Sequence, residues 1–173
     1  LTDPPLREAP DAEQWADRLA AEMNGAALLR AGIASVVPAH TSLVASALAE
    51  MTGHAPTLVA PELELPFQLA YDTPDTLGAD RLAAAAVAWR RFGQPTGRPV
   101  VAIDAGTAIT YDVVTPPGTY RGGGIAPGPA LLRRALHTGT AQLPEVPLEF
   151  PESVIGASTS ASIQSGIMSA LID

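Results

Sequence analysis

Apolar residues recur along this chain with two spacings, and the spacings predict most of its elements. Over residues 11–24, Trp15, Leu19 and Met23 fall at i, i+4 and i+8, one face of a helix. Asp11 can cap that helix and Asn24-Gly25 can stop it. Residues 32–37 form an apolar, β-branched run ended by Pro38, the pattern of a buried strand. A second helix is predicted over about 41–51, closed by Gly53, and another strand over 57–60. Pro61, Pro66 and Pro74 then punctuate a stretch that reads as loop or edge strand.

From residue 78 to 92 the pattern is strongly helical, with Leu82, Ala83 to Val87 and Trp89 making a nearly all-apolar segment, which predicts a buried helix. Gln94-Pro95-Thr96-Gly97 breaks it. Residues 99–104, 108–114 and 120–125 read as three strands, with Pro116-Pro117-Gly118 turning between the last two. A helix follows from about Gly128-Pro129 through Leu136, then a Pro-rich connector over 144–151 and a last helix over 159–172. Alternating strands, helices and a hairpin place the chain in the α/β class. Leu171-Ile172-Asp173 carries no helix stop and the first residue is not Met, so both ends are expected to continue.

Composition narrows the chemistry. The 173 residues hold 18 acidic against 10 basic side chains, every basic one an Arg, for a net charge of −8. Without Lys there is no Walker-type phosphate loop and no Schiff-base amine. Without Cys there is no thiolate nucleophile, zinc ribbon or disulfide framework. Any phosphate must therefore be held by backbone amides, hydroxyls, Arg or a metal ion. The acidic balance argues against a nucleic-acid partner. No stretch reaches the roughly 18 apolar residues of a membrane helix, and the N-terminus lacks a signal-peptide pattern, so a cytoplasmic protein is expected.

Three segments carry candidate chemistry. In the first, a strand delivers Asp104 to a tight Gly106-Thr107 turn from which the next strand departs. Amides and the Thr107 hydroxyl could face phosphate oxygens there while Asp104 holds a cation. A plain hairpin with Gly at its bend explains the same residues. In the second, Gly78-Ala79-Asp80-Arg81 opens the apolar helix. Asp80 there is either a carboxylate favoured by the helix dipole or a base able to take a hydroxyl proton. Arg81 is either its solvated neighbour or part of an anion cradle. The third, Gly122-Gly123-Gly124 leading to Gly128, allows close backbone approach to a ligand or simply a packed bulge. His40, His54 and His137 follow no metal spacing, and Ser35, Ser46 and Ser158 lack a nucleophile-elbow context.

Taken in order, these pieces resemble type III pantothenate kinase, of the acetate and sugar kinase/heat-shock/actin-like superfamily. The resemblance rests on Ser35-Val36-Val37-Pro38, Tyr71-Asp72-Thr73-Pro74, Leu77-Gly78-Ala79-Asp80-Arg81 and Asp104-Ala105-Gly106-Thr107-Ala108. It continues through residues 122–128, Thr140-Ala141-Gln142-Leu143-Pro144, Ile155-Gly156-Ala157-Ser158-Thr159 and Gln164-Ser165-Gly166. It implies a two-lobed actin-like ATPase fold, with residues 1–98 in the N-terminal lobe and 99–173 opening the C-terminal one.

It also implies ATP-dependent phosphorylation of pantothenate, the first step of coenzyme A biosynthesis, by a homodimer. In that reading Asp80 is the general base, and Tyr71, Gly78, Ala79, Arg81 and Thr159 join it in binding pantothenate. Gly106 and Thr107 contact ATP, which carries Mg²⁺, and Asp104 coordinates a monovalent cation, potassium or ammonium. The chain departs from the family pattern in lacking its first phosphate loop and its Gly-rich adenosine segment. Ala34 and Ala157-Ser158 replace a frequent Ser and a frequent Arg-Asn. The alternatives are a non-catalytic accessory or regulatory relative and a kinase of the same superfamily for another small acid. The set Asp80, Arg81, Asp104 and Thr107 favours the kinase.

Overall fold

The computed structural model describes residues 12–23 and 26–170. Helix α1 (Ala12–Glu22) carries the predicted apolar face, while its expected cap Asp11 and stop Asn24-Gly25 lie outside the described residues. Strand β1 (Gly32–Ile33) is shorter than the run that predicted it. Pro38 does not merely end that run. It is the first residue of helix α2 (Pro38–Thr52), where its missing N–H and fixed φ cost nothing, and Gly53 closes the helix in the left-handed region at φ 68°. Strand β2 (Thr57–Leu58) pairs in parallel with β1, and the two form a small sheet.

The main sheet has four strands in the order β3-β6-β5-β4. Strand β4 (Val100–Ala105), β5 (Ala108–Thr115) and β6 (Thr119–Pro127) form an antiparallel meander, and the short β3 (Gln68–Leu69) adds in parallel beside β6. Alternation along β5 divides the sheet. Asp112, Val114 and, across a bulge, Tyr120 face inward, whereas Val101, Ile103 and Tyr111 stay exposed on the other side. The bulge inserts Arg121, since Val113 pairs with Gly122 and Val114 with Tyr120.

Helix α3 (Ala79–Ala88) packs on the inward face. It continues through a π-helical turn, Trp89–Gly93, and one further turn, α4 (Gln94–Thr96), which Gly97 ends at φ 63°. The widened turn has a visible cause: the Trp89 indole lies over Gly93, where a β-carbon would fall 2.1 Å from Cε3. Leu82, Ala85, Trp89, Val114 and Tyr120 form the centre of one apolar cluster, with Phe67 and Leu77. The contacts of β3 and α3 with the meander thus cross residue 98. A second cluster joins helix α5 (Pro129–Gly139) to helix α6 (Thr159–Ser169) through Leu132, Leu136, Val146, Ile163 and Ile167. No helix among the described residues is long and apolar enough to cross a membrane.

Candidate active site

Gly78 stands just before α3, with Ala79, Asp80 and Arg81 in its first turn. The Asp80 side chain folds back along this turn: its Oδ1 accepts the Arg81 backbone N–H at 2.8 Å. It also lies over Gly78, where a β-carbon would meet Oδ1 at 2.5 Å, with Val36 Cγ1 at 3.5 Å from the same point. A side chain at residue 78 would thus displace the Asp80 carboxylate, and the Ser35–Pro38 motif is brought against the helix start. Asp80 is exposed, and its second carboxylate oxygen has no protein partner among the described residues.

Arg81 points the other way, into the core, and is 7 % exposed. Its Nη2 donates to Asp112 Oδ1 at 2.6 Å, and Nε lies 3.1 and 3.2 Å from the two carboxylate oxygens. Tyr120 donates its hydroxyl to the same Oδ1 at 2.5 Å. Asp112 is 1 % exposed and Tyr120 is fully buried, so the three groups satisfy one another out of water. The hydrogen bond to Asp112 holds the Arg81 guanidinium further above its ordinary range; burial opposes this, and the carboxylate charge reinforces it. Burial, then the hydrogen bond to Asp112, raises the Tyr120 phenol above its ordinary value.

Tyr71 meets this group edge-on, its ring 5.9 Å from that of Tyr120. It lies over Gly122, where a β-carbon would stand 3.1 Å from Cε2 and where φ is +85°. The other two glycines of the triplet serve Tyr111: Gly123 abuts its carbonyl and Gly124 its ring. Each of the three thus has close protein contacts, and the triplet is a bulged strand packed under aromatic rings.

The hairpin turn lies at the far end of β4 and β5. Asp104 pairs across to Thr110, and Gly106 N–H donates to Ala108 O at 2.9 Å. Asp104, Gly106 and Thr107 are exposed. The Asp104 carboxylate makes no hydrogen bond or ion pair among the described residues, and all its donor atoms are hard oxygens. It therefore fits an alkali cation, and with one carboxylate such an ion would also depend on carbonyl, water or phosphate oxygens. Among the described residues no group of three or more His, Asp and Glu forms a dedicated metal cage. Gly128, directly before α5, donates its N–H to Thr107 O at 2.9 Å, so a helix start backs the turn.

Thr159 is placed elsewhere. It begins α6, which Ser158 caps by accepting the Ala161 N–H at 3.2 Å, and it lines a hollow with Leu136, Leu143 and Ile163 of the second cluster. Tyr71 and residues 78–81 are thus brought together, Asp104, Gly106 and Thr107 form a second locus on the same sheet, and Thr159 belongs to a third. A groove of about 540 Å³ between residues 59–66 and α3 contains none of these candidates; its lining is apolar except for Glu64, Arg90 and Arg91. The site is marked by its side-chain chemistry rather than by that groove.

Asp112 and Tyr120 were missed by sequence reasoning. The signal was present, since an acid on the inward rhythm of an otherwise apolar strand needs a buried cation, and α3 offers one.

The fold is that of a mixed α/β protein, with candidate polar groups at the start of α3 and at the β4–β5 turn and a further one, Thr159, at the start of α6. Comparison with known proteins makes this specific. A family model described as type III pantothenate kinase matches residues 5–173, and the chain belongs to that family. Type III pantothenate kinase of Chlorobaculum tepidum is 48% identical over 136 residues, 78% of this chain and 49% of that protein. The Persephonella marina protein of the same name is 40% identical over 78% of this chain and 51% of its own length. That of Treponema pallidum subsp. pallidum is 36% identical over 94% of this chain and 62% of its own. The chain spans about half the length of most curated relatives it matches.

Proposed function

We propose that the protein to which this chain belongs transfers the terminal phosphoryl group of ATP to the hydroxyl of pantothenate. The observation that carries the reading is the family match along residues 5–173, which includes an exposed Asp80 carboxylate at the start of α3. In the reaction the substrate hydroxyl oxygen attacks the γ-phosphorus, its proton passes to Asp80, and ADP leaves. The products are 4'-phosphopantothenate and ADP. Phosphoryl transfer needs positioning and charge stabilisation more than covalent help, which suits a chain without Lys or Cys.

Asp80 serves as general base, and Gly78, Ala79, Arg81, Tyr71 and Thr159 bind pantothenate. The exposed Gly106-Thr107 turn meets the ATP phosphates, and ATP brings Mg²⁺. Asp104 would hold potassium or ammonium, whose charge would offset that of the phosphates. The two-lobed arrangement, with residues 1–98 and 99–173 in different lobes, belongs to the same proposal. So do a cytoplasmic homodimer and the absence of nucleic-acid and membrane partners, which the net charge of −8 supports for nucleic acid.

The test is ADP release by the full-length protein, coupled to a spectroscopic readout, with and without pantothenate. Pantothenate-dependent release is the expected result. Release that ignores pantothenate, or none in potassium-containing buffer, would remove the assignment.

A further inference from the structure

We propose that Asp112 is a positioning residue that ties the start of α3 to the hairpin carrying the Asp104 turn; this rests on the kinase reading above. The carboxylate is reached by Arg81 from α3, 31 residues away in sequence, and by Tyr120 from β6. It sits opposite Ala102 on β4, on the same sheet face as the Asp104–Thr110 pair. Asp112 and Thr110 are two residues apart on one strand, roughly 7 Å. One strand thus carries both the anchor of Arg81 and the base of the phosphate-facing turn.

The chemistry indicates more than stability. A buried ion pair recovers little over apolar side chains of the same volume, because both charges lose their water. Apolar groups would have filled this space as well, since Asp112 shares the buried face of the sheet with Val114 of the apolar cluster. What apolar groups lack is direction. Nε and Nη2 of Arg81 meet the carboxylate side-on, which fixes the guanidinium in orientation as well as place. The Arg81 backbone N–H in turn holds Asp80 Oδ1, so the anchor extends to the carboxylate that takes the proton. Tyr71 is included through its contact with the Tyr120 ring.

The experiment uses the full-length protein with Asp112→Asn and, as a gentler change, Tyr120→Phe. Initial rates give KM for pantothenate, KM for ATP and kcat, and a melting curve reports folding. Asp112→Asn keeps shape and one acceptor oxygen but loses the charge that orients Arg81. It is expected to raise KM for pantothenate roughly tenfold or more, with KM for ATP within about twofold. Tyr120→Phe should raise the same KM by a smaller factor. A lowered melting temperature with wild-type KM and kcat would overturn the inference and leave Asp112 a stability residue. If Asp112→Asn fails to fold, Tyr120→Phe decides, and an unchanged pantothenate KM overturns it. Wild-type protein without pantothenate-dependent ADP release would instead overturn the kinase reading and this inference with it.

Discussion

Gly128 is pressed against Gly106: a β-carbon at Gly128 would lie 2.2 Å from the Gly106 carbonyl oxygen and 2.8 Å from that of Thr107. The backbone at Gly128 is extended, with φ −74° and ψ 170°, so conformation does not demand glycine here. Space does. Backbone carbonyls cannot swing aside as a side chain can, so the start of α5 and the Asp104 turn form one packed unit.

Gly128→Ala is therefore expected to push the turn away from α5. In the full-length protein KM for ATP should rise roughly tenfold or more, whereas pantothenate affinity measured calorimetrically should hold within about twofold. An unchanged KM for ATP would mean that the turn does not meet the nucleotide.

Asp80→Asn separates the two explanations of that carboxylate. Asparagine can still accept the Arg81 N–H through its amide oxygen, so the helix start should persist. It cannot take a proton. Turnover should fall by about 10²- to 10⁴-fold, the usual range for a general base, with pantothenate binding retained. Activity close to wild type would reduce Asp80 to a helix-start carboxylate.

Arg81→Met leaves Asp112 charged and unpaired in the core, which should cost about 3–5 kcal/mol in urea unfolding. Adding Asp112→Leu and Tyr120→Phe removes the orphaned charge and the hydroxyl that would lose its acceptor, and this triple variant should recover most of that loss. Pantothenate KM should stay raised in both, because neither has a guanidinium. Recovery of stability together with wild-type KM would show that Arg81 serves folding alone.

How far the residues foretell this arrangement varies with the range of the interactions involved. The meander was legible because its strands carry long apolar runs and its turns carry Gly and Pro, all local signals. The apolar helix from residue 79 was legible for the same reason, although its π turn was not, since that depends on where the Trp89 ring lies. The runs at 32–37 and 57–60 overstated their strands. Only two residues of each find a partner, and apolar content alone does not supply one. Within the candidate site, Asp80 and the Asp104 turn could be singled out from motif and position. The direction of Arg81 could not: an Arg in the first turn of a helix faces either solvent or core, and only the distant Asp112 decides.

Tyr120 makes the core sensitive to alkali. Its phenol is raised above the ordinary value of about 10 by burial first, then by its hydrogen bond to Asp112 and by the charge there; Tyr71 adds to this and Arg81 opposes it. A group whose pKa is raised on folding contributes stability that is complete below its unfolded pKa and is lost as pH climbs toward the folded value. The contribution should therefore be constant from neutrality to about pH 10 and decline above it. Tyr120→Phe should be less stable near neutrality, by about 1.5–3 kcal/mol for a hydrogen bond to a charged group. Its stability should also fall less steeply with pH above about 10 than that of the wild type, so the two curves converge. Urea midpoints of both proteins across that range check the claim. Parallel curves would mean that the phenol already ionises in the folded protein as freely as in the unfolded chain, and that its bond to Asp112 does not hold it protonated.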